Sequence, residues 1–252
     1  MRTALFVLCV LGVTVGAAQA QKITLSPSVI ELKGTFAQST TQTLTMTNQT
    51  AMALSFDMRA QDVITAGGKR VFVAAGDLPR SIAATAVFSP ARLTIAAGAS
   101  RSVVVTVTVP PGTTSRAIVA VFTGTTTIGK GSTAATVSLG TLMTFTLSGQ
   151  VSAVPSELFV SPQSETRNAA FEVAFNNSGT EPVMPKGIVV ILNAEGAIVG
   201  RIPFTDQRLL PGERVMFKAE YPGELRPGHY RVLSTFAFSG ESLTRTGSLV
   251  VQ

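Results

Sequence analysis

The 252-residue sequence predicts an all-β protein built from two consecutive Greek-key β-sandwiches, and three observations support this fold class. Thr and Val are prominent, and such β-branched residues favour strands because they lose rotamer freedom in helices. After residue 20, apolar residues alternate with polar ones at period two, as they do in half-buried strands. Turns that contain Gly or Pro separate these segments, and short strands at such spacing are typical of an antiparallel sandwich.

The first 20 residues have the pattern of a signal peptide. Met1-Arg2-Thr3 carries one positive charge, Ala4 to Ala17 is an almost unbroken apolar run, and Ala18-Gln19-Ala20 is a small-x-small cleavage pattern. A membrane anchor is the alternative, but the run is shorter than the roughly 20 residues that cross a bilayer. We therefore expect residues 1–20 to be a signal peptide and the chain to be exported.

Cysteine usage indicates the compartment. Cys9 is the only cysteine and lies in the predicted signal peptide, so the mature chain would have no disulfide and no thiolate metal site. A secreted animal domain of this size would usually carry disulfides. We therefore expect the periplasm or cell envelope of a bacterium, without integration into the membrane.

Residues 21–152 are predicted to form the first domain. Ser26-Pro27 interrupts its first strand, which suits an edge or a bulge. Ala66-Gly67-Gly68-Lys69 predicts a hairpin turn, and Gly124–Thr133 predicts a Gly/Thr-rich loop before the last strand. The predicted strands of this half lie at residues 23–30, 42–47, 54–58, 71–73, 93–95, 103–109, 117–122 and 137–147.

Residues 153–252 are predicted to form the second domain, because the alternating pattern restarts there. Val154-Pro155-Ser156 has the composition of a short linker, and Asn193-Ala194-Glu195-Gly196 predicts a hairpin turn. The predicted strands of this half lie at residues 171–175, 188–192, 198–204, 215–217, 232–238 and 249–251.

The two halves align with each other, which predicts a duplicated domain. Asn48 and Asn176 each end the second strand of their half. The other matches, at one constant offset, are Arg92-Leu93 with Arg208-Leu209, Pro111-Gly112 with Pro227-Gly228, and Phe122 with Phe238.

A sharper motif appears only in the second half. Leu225-x-Pro227-Gly228-x-Tyr230 resembles the tyrosine corner of immunoglobulin-like Greek-key sandwiches, in which the Tyr hydroxyl bonds to upstream backbone. Thr114 occupies the Tyr position of the first half, so we expect a structural tyrosine corner in the second half alone.

The charge differs between the halves. Residues 21–154 carry ten basic and four acidic residues, a net charge of +6, whereas residues 155–252 carry nine and ten, a net charge of −1. A basic first half is compatible with an acidic polymer or an acidic partner. Dispersed charges that only keep the protein soluble are the alternative, since Lys69-Arg70 is the only adjacent basic pair.

The sequence offers few groups for catalysis. His229 is the only histidine, and its place within the tyrosine-corner motif predicts a side chain that faces solvent. The acidic residues of the first half are isolated and suggest neither a glycosidase pair nor a calcium loop. Basic stripes interleaved with aromatic residues, which nucleic-acid binding would use, are missing as well. We therefore expect no enzyme activity, no cofactor, no metal site and no nucleic-acid partner.

The strand at Val137–Leu147 is the candidate binding element. It comes last in its sheet, and an exposed sheet edge can pair with an incoming strand. Core packing against the opposite sheet is the alternative use of the same face. The candidate partner-binding residues on that face are Val137, Leu139, Thr141, Met143, Phe145 and Leu147.

The segment from Ser89 to Gly98, followed by an alternating strand, a Pro-rich turn and a Phe-ended strand, resembles the first domain of periplasmic pilus-assembly chaperones (PapD-like). The resemblance covers roughly residues 22–150. It implies two immunoglobulin-like domains, export, and a G strand lent to fimbrial subunits. That family anchors the subunit carboxylate with an Arg in the first strand and a Lys at the end of the G strand. Neither Leu25–Val29 nor Ser148–Gln150 contains such a residue, so the resemblance implies the architecture without the anchor.

The leading hypothesis is an exported, non-enzymatic, chaperone-like protein that assists assembly of a pilus or another envelope structure. It would lend a β-strand to pilin-like or surface-structure subunits. A structural or adhesive cell-envelope module without chaperone activity is the alternative. A hydrolase or a carbohydrate-binding accessory domain is a third and poorer hypothesis, since the sequence lacks His pairs and Trp.

Overall fold

The computed structural model describes residues 23–128 and 133–252 and consists of two β-sandwiches, which confirms the predicted fold class. The first sandwich also contains a short 3-10 helix at Ala83–Thr85, which the sequence did not predict. Its strands are β1 (Ile23–Ser26), β2 (Val29–Lys33), β3 (Ser39–Asn48), β4 (Leu54–Ala66), β5 (Lys69–Ala74), β6 (Val87–Ser89), β7 (Arg92–Ile95), β8 (Ser100–Thr108), β9 (Ala117–Ile128) and β10 (Thr133–Thr146).

Two sheets enclose the core of the first sandwich. One sheet has the order β1-β3-β8-β6; the other has the order β2-β10-β9-β4-β5, and β7 also pairs with β4. The strict alternation of β8 explains its position, because Val103, Val105 and Val107 point inward and are fully buried. Phe56 and Phe122 from the other sheet join the same core.

The first predicted strand is divided between the two sheets. β1 pairs with β3 in an antiparallel register, with Ile23 opposite Asn48, whereas β2 runs parallel to β10, with Val29 opposite Leu142. Pro27 lies between them and has no backbone N–H to give to a ladder. Ser26-Pro27 is therefore the crossing from one sheet to the other. β1 and β2 are each the outer strand of their sheet, so the predicted edge position is present, and no bulge is recorded in either pairing.

The prediction of a loop at Gly124–Thr133 is largely wrong. β9 continues to Ile128 and β10 starts at Thr133, with these two residues opposite each other; residues 129–132 lie outside the described residues. Thr suits strands because it is β-branched. Gly124 also belongs to β9. A glycine is required there because the Phe56 ring lies so close that a Cβ atom would be 2.7 Å from it.

The second sandwich has a three-stranded sheet of order β11-β12-β15 and a four-stranded sheet of order β14-β13-β16-β17. Its core is rich in phenylalanine: the ring centroids of Phe175 and Phe236 are 4.6 Å apart, and those of Phe217 and Phe236 are 5.2 Å apart. Its strands are β11 (Ala153–Ser161), β12 (Ala169–Asn177), β13 (Lys186–Leu192), β14 (Ile198–Pro203), β15 (Arg214–Tyr221), β16 (Gly228–Phe238) and β17 (Glu241–Val251).

Val154-Pro155-Ser156 is not a linker. These residues belong to β11, where Val154 lies opposite Asn176, and the register shifts between Pro155 and Leu158. Proline is tolerated there because β11 is the outer strand of its sheet and the shift interrupts the ladder.

Both predicted hairpin turns are present. Ala66 pairs with Lys69, and Gly67 and Gly68 between them have φ angles of 58° and 77°. Positive φ at both central residues is the signature of a type I′ turn, whose twist matches that of the flanking strands. In the second sandwich, the Asn193 backbone N–H donates to Ala197 O at 2.9 Å and closes the turn before β14.

The internal repeat is visible in the structure, except that Asn48 corresponds to Asn177 and not to Asn176. Asn48 is fully buried, and its Nδ2 donates to Met52 O at 2.7 Å and to Ile95 O at 3.1 Å. Asn177 is the residue in the second sandwich with the same surroundings: it is fully buried and donates to Glu181 O at 2.8 Å and to Leu209 O at 3.2 Å. Asn176, which the sequence comparison matched to Asn48, is exposed.

Candidate functional site

Strand β10 is paired on both sides over only part of its length. β9 accompanies it from Thr133 to Thr144, but β2 lies beside it only at residues 142–146. The second pairing begins where Leu142 N donates to Ser28 O at 2.9 Å and Thr141 Oγ1 donates to Pro27 O at 2.8 Å. Within the described part of the chain, no strand pairs with the outer edge of residues 133–141. The strand is therefore an edge in its first part and an inner strand in its last part.

The candidate face of β10 changes its surroundings along the strand. Met143 and Phe145 are buried to 0% and 2% exposure in the core, and Thr141 is fully buried beside β2. These side chains have the core-packing role that the sequence left as the alternative. Leu139 and Leu147 are half-buried against the same core, and Val137 is half-buried.

Of the six candidate residues, Val137 and Leu139 therefore combine partial exposure with an unpaired strand edge. Gly140 follows them, and a Cβ atom there would lie 2.8 Å from Val119 Cγ2 on β9. The absence of a side chain at Gly140 therefore leaves room for the Val119 side chain on the face of the sheet. An open strand edge such as the one beside Val137 and Leu139 can pair with an extended segment.

The end of β10 is held by a carboxylate from the second sandwich. Glu181 is 1% exposed, and its oxygens accept hydrogen bonds from Leu147 N at 2.9 Å and Gly149 N at 2.9 Å. Arg116, at the start of β9, donates Nε–H to the same carboxylate at 3.2 Å, and its side chain is 12% exposed. A buried carboxylate with a charged partner and two amide donors is well satisfied.

Two further ion pairs join the sandwiches. Arg70, beside the β4–β5 turn, donates Nε–H to Glu213 Oε1 at 2.7 Å and Nη2–H to Oε2 at 3.1 Å. Arg208 pairs with Glu31 at 3.0 Å. Burial lowers the pKa of the Arg208 guanidinium from its usual value, and the charge of Glu31 opposes that shift.

A small apolar cluster also joins the two sandwiches. Val63, Ala117, Val119 and Val121 of the first sandwich bury Leu210 of the second, and Leu142 packs against the cluster from β10. The face of β10 opposite the candidate residues is thus part of the contact between the sandwiches.

The sequence did not identify Glu181, Arg116 or Arg70 as important. The difference in charge between the halves was the available signal: Arg70 and Arg116 come from the basic half, and Glu213 and Glu181 come from the acidic half. In these two pairs the second sandwich supplies the acidic partner, whereas in the Arg208–Glu31 pair the first sandwich supplies it.

The tyrosine-corner residues come together as their motif suggests. Tyr230 Oη donates to Arg226 O at 2.7 Å, Leu225 is 8% exposed, and Pro227 and Gly228 lead into β16. His229 is exposed.

Other kinds of site were sought in the described residues. Residues 23–128 and 133–252 contain no group of three or more His, Cys, Asp and Glu side chains that could hold a metal ion. In the same ranges, no helix has the length and apolar composition that crossing a membrane would need.

Comparison with family models matches residues 30–139 to an Fn3-like domain. This segment comprises most of the first sandwich, from β2 to the open part of β10. No curated protein sequence matches the chain.

Solved structures of fimbrial chaperones align with nearly the whole chain. The class 5 fimbriae chaperone CfaA has 12% identity and a TM-score of 0.45, with 92% of this chain and 100% of that chain covered. The Salmonella enterica complex of SafA pilin with the SafB chaperone gives 11% identity, a TM-score of 0.45, and coverage of 93% and 99%. The CsuC–CsuE chaperone–tip subunit complex from Acinetobacter baumannii gives 12% identity, a TM-score of 0.43, and coverage of 90% and 98%.

The alignments establish a resemblance, and it is the one that the segment Ser89–Gly98 suggested from sequence. The chain is thus an all-β protein of two β-sandwiches that is similar to fimbrial chaperones, with an Fn3-like match in its first sandwich.

Proposed function

We propose that this chain is an exported, non-enzymatic protein-binding protein that assists the assembly of a pilus or another envelope structure by pairing β10 with a strand of its client. The observation that carries the proposal is the open outer edge of residues 133–141, next to the half-buried Val137 and Leu139. An extended client segment would form main-chain hydrogen bonds with this edge, and alternating side chains would give specificity.

In this proposal, residues 1–20 are the signal peptide, and residues 21–152 and 153–252 are separate domains in the bacterial periplasm or envelope. The start of β11 at Ala153 supports the second boundary. The client is a pilin-like or surface-structure subunit. It is held differently from subunits in the family with the Arg/Lys anchor, because the described β1, β2 and the end of β10 lack those two residues at the corresponding places.

The test is site-specific photo-crosslinking in cells that produce the protein. A photoreactive amino acid replaces Val137 in one variant and Val250 in another; Val250 is an exposed apolar residue on β17, 47% accessible. The proposal expects a covalent adduct with one extracytoplasmic subunit from position 137 and none from position 250. Mass spectrometry then identifies the captured protein.

A second pair of variants measures the contribution of the side chain. Val137→Arg should reduce recovery of that subunit, whereas Val250→Arg should leave it unchanged, with circular dichroism showing that both variants fold. Met143 and Phe145 are unsuitable for this purpose because they are core residues. Absence of an adduct at position 137, or equal adducts at both positions, would contradict the proposal.

A structural or adhesive module is the second candidate. The buried link between Arg116 and Glu181 favours it, because a spacer must hold its two sandwiches in a fixed arrangement. This candidate predicts no crosslink at position 137 and retention of the protein in large surface assemblies.

A further inference from the structure

The four-stranded sheet of the second sandwich, of order β14-β13-β16-β17, has one face in the core and one face on the surface. Val189 on β13 and Val232 on β16 are fully buried in the core. Because side chains alternate along a strand, their neighbours Val190 and Arg231 point to the surface. The same alternation and the register of the ladders place three cations on this outer face: Lys186, Arg201 and Arg231.

These three cations have no acidic neighbour on their face. All three are exposed, and none forms an ion pair with another described residue. The outward positions of the four strands contain neither Asp nor Glu, although this half of the chain has ten acidic residues. Glu195, Asp206 and Glu241 lie at the ends of these strands. The outer face of the other sheet differs, because Lys218 there pairs with Glu172 at 2.6 Å.

The centre of the outer face is apolar. Val190 lies opposite Leu233 on β16 and opposite Arg201 on β14, so apolar and charged residues are adjacent. Ile188 is 38% exposed, and Val190 and Leu233 are half-buried. Apolar side chains beside Lys and Arg are the composition with which amphipathic elements bind the headgroup region of an anionic bilayer.

The spacing of the cations favours a lipid surface over an acidic protein. Lys186 begins β13 and Arg231 lies opposite its last residue, so these two cations are about 20 Å apart. β13 also separates Arg201 from Arg231, which places them on strands about 10 Å apart. An acidic protein would need a carboxylate fixed at each of these places. Anionic lipids move laterally and collect beneath each cation, and each cation near such a surface contributes to binding.

We propose that this outer face binds reversibly to the surface of an anionic phospholipid membrane. We call it the cationic face and define it by Lys186, Ile188, Val190, Arg201, Arg231 and Leu233. The arginine guanidinium groups donate to phosphate oxygens, and the apolar centre lies against the headgroup region. The proposal does not depend on client binding by β10, which belongs to the first sandwich.

The test is co-sedimentation of the purified protein with vesicles of equal parts phosphatidylglycerol and phosphatidylcholine, or of phosphatidylcholine alone. The protein is used without residues 1–20, because that apolar run would itself enter a bilayer; both sandwiches lie within residues 23–252. The wild type should bind the anionic vesicles at about 0.1 M salt and more weakly at about 0.5 M salt, because salt screens the charges. It should not bind the neutral vesicles.

Two double variants with the same change in net charge test the position of the binding face. Arg201→Glu/Arg231→Glu should weaken binding by about tenfold or more, since two cations of the face become anions. Lys33→Glu/Arg101→Glu is the matched control, because both residues are exposed on the first sandwich, and it should bind as the wild type does. Ile188→Ser should weaken binding by a smaller factor that salt does not change.

Circular dichroism verifies that each variant is folded, and Lys186→Glu replaces the double variant on the cationic face if that variant does not fold. Equal losses in the two double variants would show that binding follows net charge alone and would overturn the proposal. A wild type that binds neither vesicle, or both equally, would overturn it as well. Binding to poly-glutamate without binding to anionic vesicles would identify an acidic protein as the partner and would also contradict it.

Discussion

Buried polar side chains organise both sandwiches at the level of single residues. Asn48 Nδ2 lies within hydrogen-bond distance of three backbone carbonyls, which share its two N–H groups, and its Oδ1 accepts from Thr50 N at 3.0 Å. Asn177 repeats this arrangement, with Oδ1 accepting from Gly179 N at 3.0 Å. An amide that both donates and accepts can fix two chain segments at once. The duplicated feature of the two sandwiches is thus a hydrogen-bond network around Asn48 and Asn177, and the sequence match of Asn48 with the neighbouring Asn176 was one residue off.

We predict that Asn48→Ala lowers the free energy of unfolding by about 2–4 kcal/mol, because buried carbonyls lose their donors. Asn177→Ala should have a similar effect. Asn176→Ala is the control and should change stability by no more than about 0.5 kcal/mol, since its side chain is exposed. Urea unfolding followed by circular dichroism measures all three variants, and a large effect of Asn176→Ala would contradict the assignment.

Asp62 shows how burial changes the role of an acidic residue. In the sequence it is one of four isolated acids in the first half. In the structure it is fully buried; its Oδ1 accepts from Ile82 N at 3.1 Å and Ala83 N at 3.3 Å, and Ser81 donates to its Oδ2. The carboxylate therefore satisfies the amides at the start of the 3-10 helix, a structural role.

At the level of elements, β9 and β10 extend beyond the sheet that supports them. β4 accompanies β9 only as far as Gly124, and β2 leaves β10 at Leu142. Beyond Gly124, the pairing of residues 125–128 with residues 133–136 is two-stranded among the described residues. Its open edges result from the lengths of neighbouring strands, and the proposed client-binding edge depends on those lengths.

Gly124 is the place where this hairpin passes over the core. A Cβ atom there would lie 2.7 Å from the Phe56 ring and 2.8 Å from Ser55 O. We predict that Gly124→Ala lowers the free energy of unfolding by about 1–3 kcal/mol through overpacking. Gly34→Ala is the control, since nothing lies within 4 Å of its Cβ position, and it should change stability by no more than about 0.5 kcal/mol. Thermal unfolding measures both, and equal effects would contradict the prediction.

At the level of the whole molecule, the sandwiches are joined by the Leu210 cluster and three ion pairs. The pair between Arg116 and Glu181 is the most buried of these. It also fixes the residues that follow β10, through Leu147 N and Gly149 N. The relative position of the sandwiches and the end of the proposed binding strand therefore depend on the same carboxylate.

We predict that Glu181→Ala lowers the free energy of unfolding by about 3–5 kcal/mol, because Arg116 stays buried without its partner. Differential scanning calorimetry should show that one transition in the wild type becomes two in the variant, as the sandwiches lose their coupling. The outcome that would contradict this is a single unchanged transition.

The matched control is the exposed pair Asp57–Arg92, whose side chains are 67% and 71% accessible. The hydrogen bond from Arg92 lowers the pKa of the Asp57 carboxyl from its usual value. A lowered folded-state pKa contributes stability above the unfolded pKa and loses it as the pH falls through the folded pKa. Because solvent screens this pair, Asp57→Ala should leave the calorimetric transition unchanged at neutral pH.

Local patterns predicted much of this protein. β-branched residues at period two predicted the strands, such as β8 with its inward Val103, Val105 and Val107, because alternation alone determines which face is buried. Two adjacent glycines predicted the turn before β5, because few other residues adopt positive φ. The order and type of most elements therefore follow from short-range chemistry.

Tertiary structure decided the features on which the proposals depend. The sequence of β10 predicts a strand with one apolar face, but only the pairing of β2 with residues 142–146 separates its inner part from its open edge. The partners Arg116 and Glu181 are far apart in the chain, and no local pattern relates them. The period of apolar side chains depends on residues that are near neighbours in the chain. Open strand edges and buried ion pairs depend on contacts between distant segments, because only folding brings those segments together.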